Sequence, residues 1–261
     1  MAGVRERVRQ ETTREILDTA RRQLATVGPV TLSLRAVARE VGLASSAVYR
    51  YFASRDELLT ALIVAAYDDL GAAVEQAEAR VPRDRHAARW QAICVAARRW
   101  GLDHRHEFTL VYGTPVPGYV APPDTVDAAI RVQRLLIALG RDIGAAPATA
   151  PPGLPAAYPD LLETVGPELP AEQAVLGIVA WTWLIGRISV ELNGQLVGVV
   201  DPAGADDAFA WEAAAIGAAT GLAPTAGSPP KAGSAAKAGS APKAGSAPTA
   251  GSAAKAADLA P

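Results

Sequence analysis

The sequence predicts an all-α protein: an N-terminal three-helix head containing a helix-turn-helix, a long helix leading into a C-terminal helical bundle that dimerises, and a disordered C-terminal tail. Three observations carry this reading. Residues 34–52, LRAVAREVGLASSAVYRYF, read as two short helices joined by a tight turn. Apolar residues recur three and four positions apart through segment after segment. Charge is segregated as well: residues 1–55 hold ten Arg against five acids, whereas residues 56–222 hold eleven Arg against twenty-one acids. A basic head on an acidic body suits a protein whose head alone approaches a polyphosphate.

Within residues 34–52, Ala38 falls where the two helices cross closely, leaving no room for a larger side chain. Gly42 falls where the first helix must stop, and glycine takes up the positive φ of such a terminus without a Cβ clash. Val37, Val41, Leu43 and Val48 supply the apolar contacts between the helices. Ser33 is the expected N-cap of the first helix, and Ser45 or Ser46 of the second. Ser54 and Glu57 then form a capping box. It opens a long helix over 55–79, along which Leu58, Leu59, Leu62, Ile63, Ala66, Tyr67 and Leu70 recur at helical spacing. The arrangement is that of a DNA-binding helix-turn-helix.

On these residues the stretch 12–70 resembles the N-terminal domain of the TetR family of bacterial transcriptional regulators. Ser33, Ala38, Gly42, Tyr49, the Tyr51-Phe52 pair and Arg55 occupy the family's pattern. The sequence departs from it at Ala44, where the family often has a capping Ser, and at Ser46, where it often has Gly; the expected cap moves to Ser45. The resemblance implies a homodimeric repressor that binds double-stranded DNA at a palindromic operator and is released by a small-molecule effector. Ser45, Ser46 and Ala47 are expected at base edges, because the N-terminal residues of a recognition helix enter the major groove. Tyr49 and Tyr51 are expected to turn their hydroxyls to phosphate and Arg55 to reach phosphate. Arg35 is expected at phosphate or guanine, and Ser33 completes the DNA-binding set.

Upstream, Thr12-Thr13-Arg14-Glu15 announces a helix with Ile16, Leu17, Ala20, Leu24 and Val27 on one face, ended by Gly28-Pro29. Arg5, Arg7 and Arg9 ahead of it read as a DNA-reaching arm or as a solvated end. Downstream, a helix over 86–102 is followed by a short one holding Phe108, Leu110, Val111 and Tyr112. The run GTPVPGY at 113–119 forces a turn. A helix over 124–143 precedes a proline-rich crossover, 145–170, with a short helix at 160–164. The segment 171–196 is apolar nearly all round and must be covered on more than one side. The segment 205–221 carries a stripe of small residues that permits close approach. These last two helices are expected to pair with their two-fold mates through Trp183, Ile188, Ala210, Ala214 and Gly217. Trp90, Trp100, Phe108, Tyr112 and Trp181, with His104 and Arg131 as polar anchors, are expected to line a site beside helix 55–79 for an apolar or aromatic effector. The order of the body, over about 85–222, is similar to a C-terminal class within the same family.

Domain bounds follow: 1–55 for the DNA-binding head with 55–79 as the shared helix, 56–222 for the ligand-binding and dimerisation body, 223–261 for the tail. Residues 225–254 repeat a six-residue unit, (Lys/Thr)-Ala-Gly-Ser-(Ala/Pro)-(Ala/Pro), five times. Such a repeat has nothing with which to build a core. The single Cys94 excludes an internal disulfide and fits a reducing cytoplasm. The opening residues are rich in charge, unlike a signal peptide. The uncharged run 173–186 is shorter than the about 18–20 residues of a membrane span, so no membrane association is expected. His86, His104 and His106 with Cys94 make no closed ligand set for a metal. No GxSxG elbow, GxxxxGK[ST] loop or GxGxxG turn is present; no cofactor and no enzymatic activity are expected. The competing class is an all-α ligand-binding or enzymatic domain whose helix-turn-helix is purely structural.

Overall fold

The computed structural model describes residues 2–144, 153–160, 163 and 169–223. Of the expected tail, 223–261, Ala223 is buried against the body's apolar cluster and so belongs to the body; the rest of it, and most of the expected short helix at 160–164, lie outside the described residues. The described residues belong to one compact unit, and every regular element among them is helical. These are α1 (Ala2–Thr31), α2 (Leu34–Val41), α3 (Arg55–Glu78), α4 (His86–Asp103), α5 (Arg105–Tyr112), α6 (Val126–Ala129), α7 (Arg131–Ile143), α8 (Ala171–Leu192) and α9 (Ala205–Thr220).

α1 begins well before the expected capping box. Thr12 and Thr13 lie mid-helix and donate their hydroxyls to the carbonyls of Val8 and Arg9, each at 2.9 Å. Arg5, Arg7 and Arg9 therefore sit on helix turns and form no loose arm. At Gly28 the backbone enters the left-handed region (φ 73°) and α1 kinks before Pro29. α2 ends as expected on Gly42 (φ 77°), whose N–H bonds back to the α2 carbonyls. Ser33 stands at the N-cap of α2 in an extended conformation, but its hydroxyl makes no cap bond. The Ser54 hydroxyl accepts from the N–H of Glu57 at 3.1 Å, and the Glu57 carboxylate accepts from the N–H of Ala53 at 2.5 Å. This reciprocal closure fixes where α3 starts.

α3 serves two separate apolar clusters. Leu58, Leu59 and Leu62 join Ile16, Ala20, Leu34, Val37, Ala38, Val48 and Phe52 in the head. Ala66, Leu70 and Val74 join Trp90, Ile93, Ala97, Trp100, Leu136, Leu184, Ile188 and Phe209 in the body. The helix expected over 124–143 is broken. A 3-10 turn, Pro123–Thr125, and α6 end at Ile130 (φ −91°, ψ 8°), and α7 restarts at Arg131.

Charged side chains are built into the body. Arg89 is fully buried and bonds the carboxylates of Glu78 (2.5 Å) and Asp142 (2.6 Å), fastening α4 to the ends of α3 and α7. Arg98 holds Glu191 by two bonds, at 2.8 and 2.7 Å, while Arg187 bonds Glu212 (2.6 Å) and Glu191 (3.0 Å). Both guanidinium groups lie over the Phe209 ring, at 5.0 and 5.6 Å. Cations on an aromatic face with carboxylates at their edges are compensated on both sides.

α8, at 22 residues with a mean hydropathy of 1.5 over its most apolar stretch, is long and apolar enough to cross a membrane. The expectation that this segment is too short is thereby corrected: the helix continues past Gly186 through Arg187 and Glu191 to Leu192. Arg187 is buried and paired to α9, and α8 packs on α4, α7 and α9.

The hydrogen bonds from Arg98 hold the Glu191 carboxyl below its ordinary range. A carboxyl depressed on folding contributes stability that is complete above its unfolded value, about 4.3, and is lost as pH falls through the folded value. Replacing Arg98 with Met is expected to cost about 3 kcal/mol at neutral pH. In urea unfolding the deficit against wild type should begin to shrink as pH falls below the unfolded value, and be smallest below the lower folded value, where Glu191 is protonated in both states.

Candidate nucleic-acid interface and internal cavity

The head is assembled from α1, α2 and the start of α3. Arg22 and Gln23 on α1 reach the Glu40 carboxylate of α2 at 3.2 and 2.8 Å. The Gln23 bond first, then that of Arg22, lowers the Glu40 carboxyl below its usual value. After Gly42 the chain does not form a second α-helix. Residues 45–47 are turns and Val48–Arg50 is a 3-10 helix, held by Ala47 N–H to Ala44 O (2.8 Å) and Tyr51 N–H to Val48 O (2.9 Å). The segment is anchored by one buried apolar side chain, Val48, before Phe52 enters the core. So short a piece, rich in serine and aromatic residues of modest helix propensity, has little to favour the α register over the tighter one.

The residues expected at DNA divide into two groups. Arg35, Ser45, Ser46 and Tyr49 are exposed, Tyr49 at 45 %. Ser33, Ala47 and Tyr51 are half-buried. Arg9 holds the segment from α1: its Nη2 donates to the Arg50 carbonyl at 3.5 Å, and its guanidinium lies 5.9 Å from the Tyr51 ring centroid. Arg55 is turned inward. Its Nη2 donates to the carbonyls of Pro29 (2.7 Å) and Val30 (3.2 Å), satisfying the backbone opened by the Gly28 kink. Arg50 was not singled out from sequence, yet it is exposed on the recognition segment itself. Its place between two tyrosines in the run VYRY was the available signal.

In the body the expected ligand-lining aromatics fill one another's space. Trp90 is fully buried and donates Nε1–H to the Ala213 carbonyl at 2.7 Å. Trp100 stacks on His104 at 5.1 Å, and the Nδ1 of His104 bonds the Trp100 carbonyl at 3.0 Å. Tyr112 packs against Phe108 (4.9 Å), Tyr67 (5.8 Å) and Trp181 (5.9 Å). Burial pushes the Tyr112 hydroxyl and the Cys94 thiol well above their ordinary values, so both stay protonated. Arg131 lies across α3, bonding Glu75 twice at 2.7 Å and Asp68 at 3.0 Å. Gly71 makes that path possible: a Cβ there would lie 2.5 Å from Arg131 Cδ.

A cavity of about 690 Å³ opens instead between α7 and α8. Its walls include Gln133, Leu136, Ile137 and Gly140 from α7 and Gln173, Ala174, Gly177, Ile178 and Trp181 from α8, with Ile130 at the break before α7, Leu169 and Leu222. Of the aromatics nominated from sequence, Trp181 lines it; Trp90, Trp100, Phe108 and Tyr112 do not. α3 contributes no lining residue. The cavity is joined to α3 through α7, whose first residue is Arg131.

Two expected dimer residues also belong to the protomer's own interior. Ile188 is fully buried, and a Cβ on Gly217 would lie 2.5 Å from Trp90 Cδ1. The small residue serves the indole of the same chain. Trp183 is half-buried and stacks on Phe209 at 5.8 Å, and the carbonyl of half-buried Ala210 accepts from Gln91. Ala214 is exposed. Trp211, not singled out from sequence, is 69 % exposed, with Val179 of α8 at 45 %.

Comparison with known proteins agrees with this anatomy. Residues 16–62 match the family model described as bacterial regulatory proteins of the tetR family, and residues 90–216 match a tetracyclin repressor-like C-terminal domain. The chain is 38% identical over 203 residues to the HTH-type transcriptional regulator Rv1816 of Mycobacterium tuberculosis, covering 74% of this chain and 86% of that protein. Among solved structures it is similar to the regulatory protein SCO4313, at 31% identity and a TM-score of 0.64, over 80% of this chain and 97% of that one. A protein of unknown function from Rhodococcus sp. RHA1 matches at 27% identity and a TM-score of 0.56, over 77% and 94% of the two chains.

Because Arg55 bonds backbone carbonyls, Arg55→Ala is expected to destabilise the head by about 1–3 kcal/mol. Its signature is a lower urea midpoint with an unaltered salt dependence of DNA binding at temperatures where the head stays folded. A slope flattened by about one unit would instead mark a phosphate contact.

Proposed function

Since the chain belongs to the TetR family of bacterial transcriptional regulators and carries that family's DNA-binding helix-turn-helix, we propose that it is a homodimeric repressor released when a small apolar molecule enters the cavity between α7 and α8. It acts by binding, in the cytoplasm, with no chemistry of its own. One observation carries the release step: the wall of the cavity, α7, is the helix that Arg131 ties to α3, and α3 enters the core of the head. A ligand that moves α7 moves the rod on which the head is mounted. It shifts the equilibrium only if it binds the DNA-incompetent arrangement more tightly.

The recognition surface in this reading is residues 45–50, with Ser45, Ser46 and Tyr49 toward the groove and Arg35 and Arg50 toward phosphate or guanine. The dimer surface is the apolar face that α8 and α9 leave uncovered: Val179, Thr182 and Gly186 with Trp211, Ala214 and Ala215, all exposed in the protomer. An exposed tryptophan amid small residues on two adjacent helices is a surface suited to its own two-fold copy. That copy would also cover the face of α8 that gives the helix its membrane-like hydropathy.

Selection of bound duplexes from a random pool, followed by release of the selected duplex by apolar small molecules, tests the reading directly. A palindromic site is the expected yield; enrichment of nothing above background would defeat it. Arg50→Ala should weaken binding to all sequences and flatten log K against log salt by about one unit. Trp211→Glu should give a monomer in sedimentation and abolish binding to the full palindrome, with helicity unchanged. An intact dimer in that variant would displace the interface from this face.

A further inference from the structure

Buried polar groups almost always find partners, so an unpartnered amide in an apolar wall calls for explanation. Gln173, in the first turn of α8, is 2 % exposed, and neither its Oε1 nor its Nε2 has a hydrogen-bond partner among the described residues. It lines the cavity beside Gly140 of α7; a Cβ at Gly140 would lie 3.5 Å from the Gln173 amide and 3.0 Å from Leu169 Cδ1. The amide is thus packed against α7 backbone, and its donor and acceptor are left without a partner among the described residues. Gln133, seven residues earlier on α7 and so about 10 Å along the helix axis, also lines the cavity and holds a buried, unpartnered Oε1. The charged residues of the lining already have partners: Arg134 bonds Asp127 at 2.6 Å, and neither Arg141 nor Asp160 is free.

Extending the effector-cavity reading above, on which this rests, we propose that the ligand is an uncharged, mainly apolar molecule carrying an amide edge. That edge is an N–H and a C=O on adjacent atoms, as in a primary amide, a lactam or an imide, and it pairs with both arms of Gln173. A carboxylate offers acceptors only and would set negative charge against Oε1 in a site with no free cation among the described lining residues. An ester or hydrocarbon leaves the Gln173 acceptor as orphaned as before. The volume, about 690 Å³, lies in the range of sites that enclose drug-sized ligands.

The test uses three probes of one chain length, decanamide, decanoate and methyl decanoate, measured by calorimetry and by operator release on the full chain. Decanamide is expected to bind wild type at least tenfold more tightly than either of the others. In Gln173→Leu its advantage should disappear, with methyl decanoate binding unchanged or improved; Gln173→Met serves equally if the leucine variant folds poorly. Equal binding of the three probes to wild type, or a ranking that survives both substitutions, would overturn the amide pairing while leaving the cavity as the effector site. Gly177→Phe separates the two levels. Gly177 lines the cavity and a Cβ there meets nothing within 4 Å, so the phenyl group fills the space. Decanamide binding and operator release that persist in Gly177→Phe would overturn the cavity reading itself, and binding of none of the probes to wild type would overturn the proposal.

Discussion

The apolar side chains of α3 are divided between two cores, and the rest of the molecule is arranged around that division. Leu58, Leu59 and Leu62 are locked among the head helices, and Leu70 and Val74 among the body helices. Each such fully buried side chain contributes about 1.5–3 kcal/mol relative to exposure. The helix can neither slide nor rotate without uncovering one set or the other. It behaves as a rod clamped at both ends, and Arg131 lying across Gly71 is the crossbar at its body end.

Much of the head was legible because its signals are local. A glycine at a helix terminus, a Ser and Glu three residues apart, and a small residue at a helix crossing each act within a turn or two of chain, and the backbone obeyed them at Gly42, Ser54 and Ala38. The recognition segment misled for the same reason. Its sequence matches a helix in kind, but one buried valine is too little tertiary contact to choose between α and 3-10 hydrogen bonding. The break at Ile130 left no mark in an apolar pattern that continues smoothly across it.

The body was legible as helices and much less so as contacts. Periodicity says which face of a helix is apolar and leaves open what will lie against it. Aromatic residues concentrated in an alanine-rich domain suggested a lined cavity, yet Trp90, Phe108 and Tyr112 pack on other elements of the same protomer, and the cavity falls where α7 and α8 present aliphatic and small residues. Gly217 illustrates the ambiguity most sharply. A small residue announces that something comes close, and here it is the indole of Trp90, not a second chain. The charge count likewise says nothing of where the body's acids lie: Glu78, Glu191 and Glu212 are engaged with the buried Arg89, Arg98 and Arg187, and apart from Arg187 and Glu191, one helical turn apart, no spacing in the sequence pairs them.

The loop at 113–119 complicates the division into head and body. Val116, from the body half of the sequence, is buried in the head cluster, and the Tyr119 hydroxyl meets the Thr60 hydroxyl at 2.9 Å. Leu110 of α5 packs there too. Regulators of this design are often thought of as cassettes, a reader joined to a sensor through one helix. In this chain the seam is not a single cut. A chimaera that imports a foreign head at a junction within α3 would leave Val116 facing a surface never shaped for it and Tyr119 without its hydroxyl partner. Interchangeable parts here would have to include the 113–119 loop with the head, so that modularity follows the packing rather than the linear order of the chain.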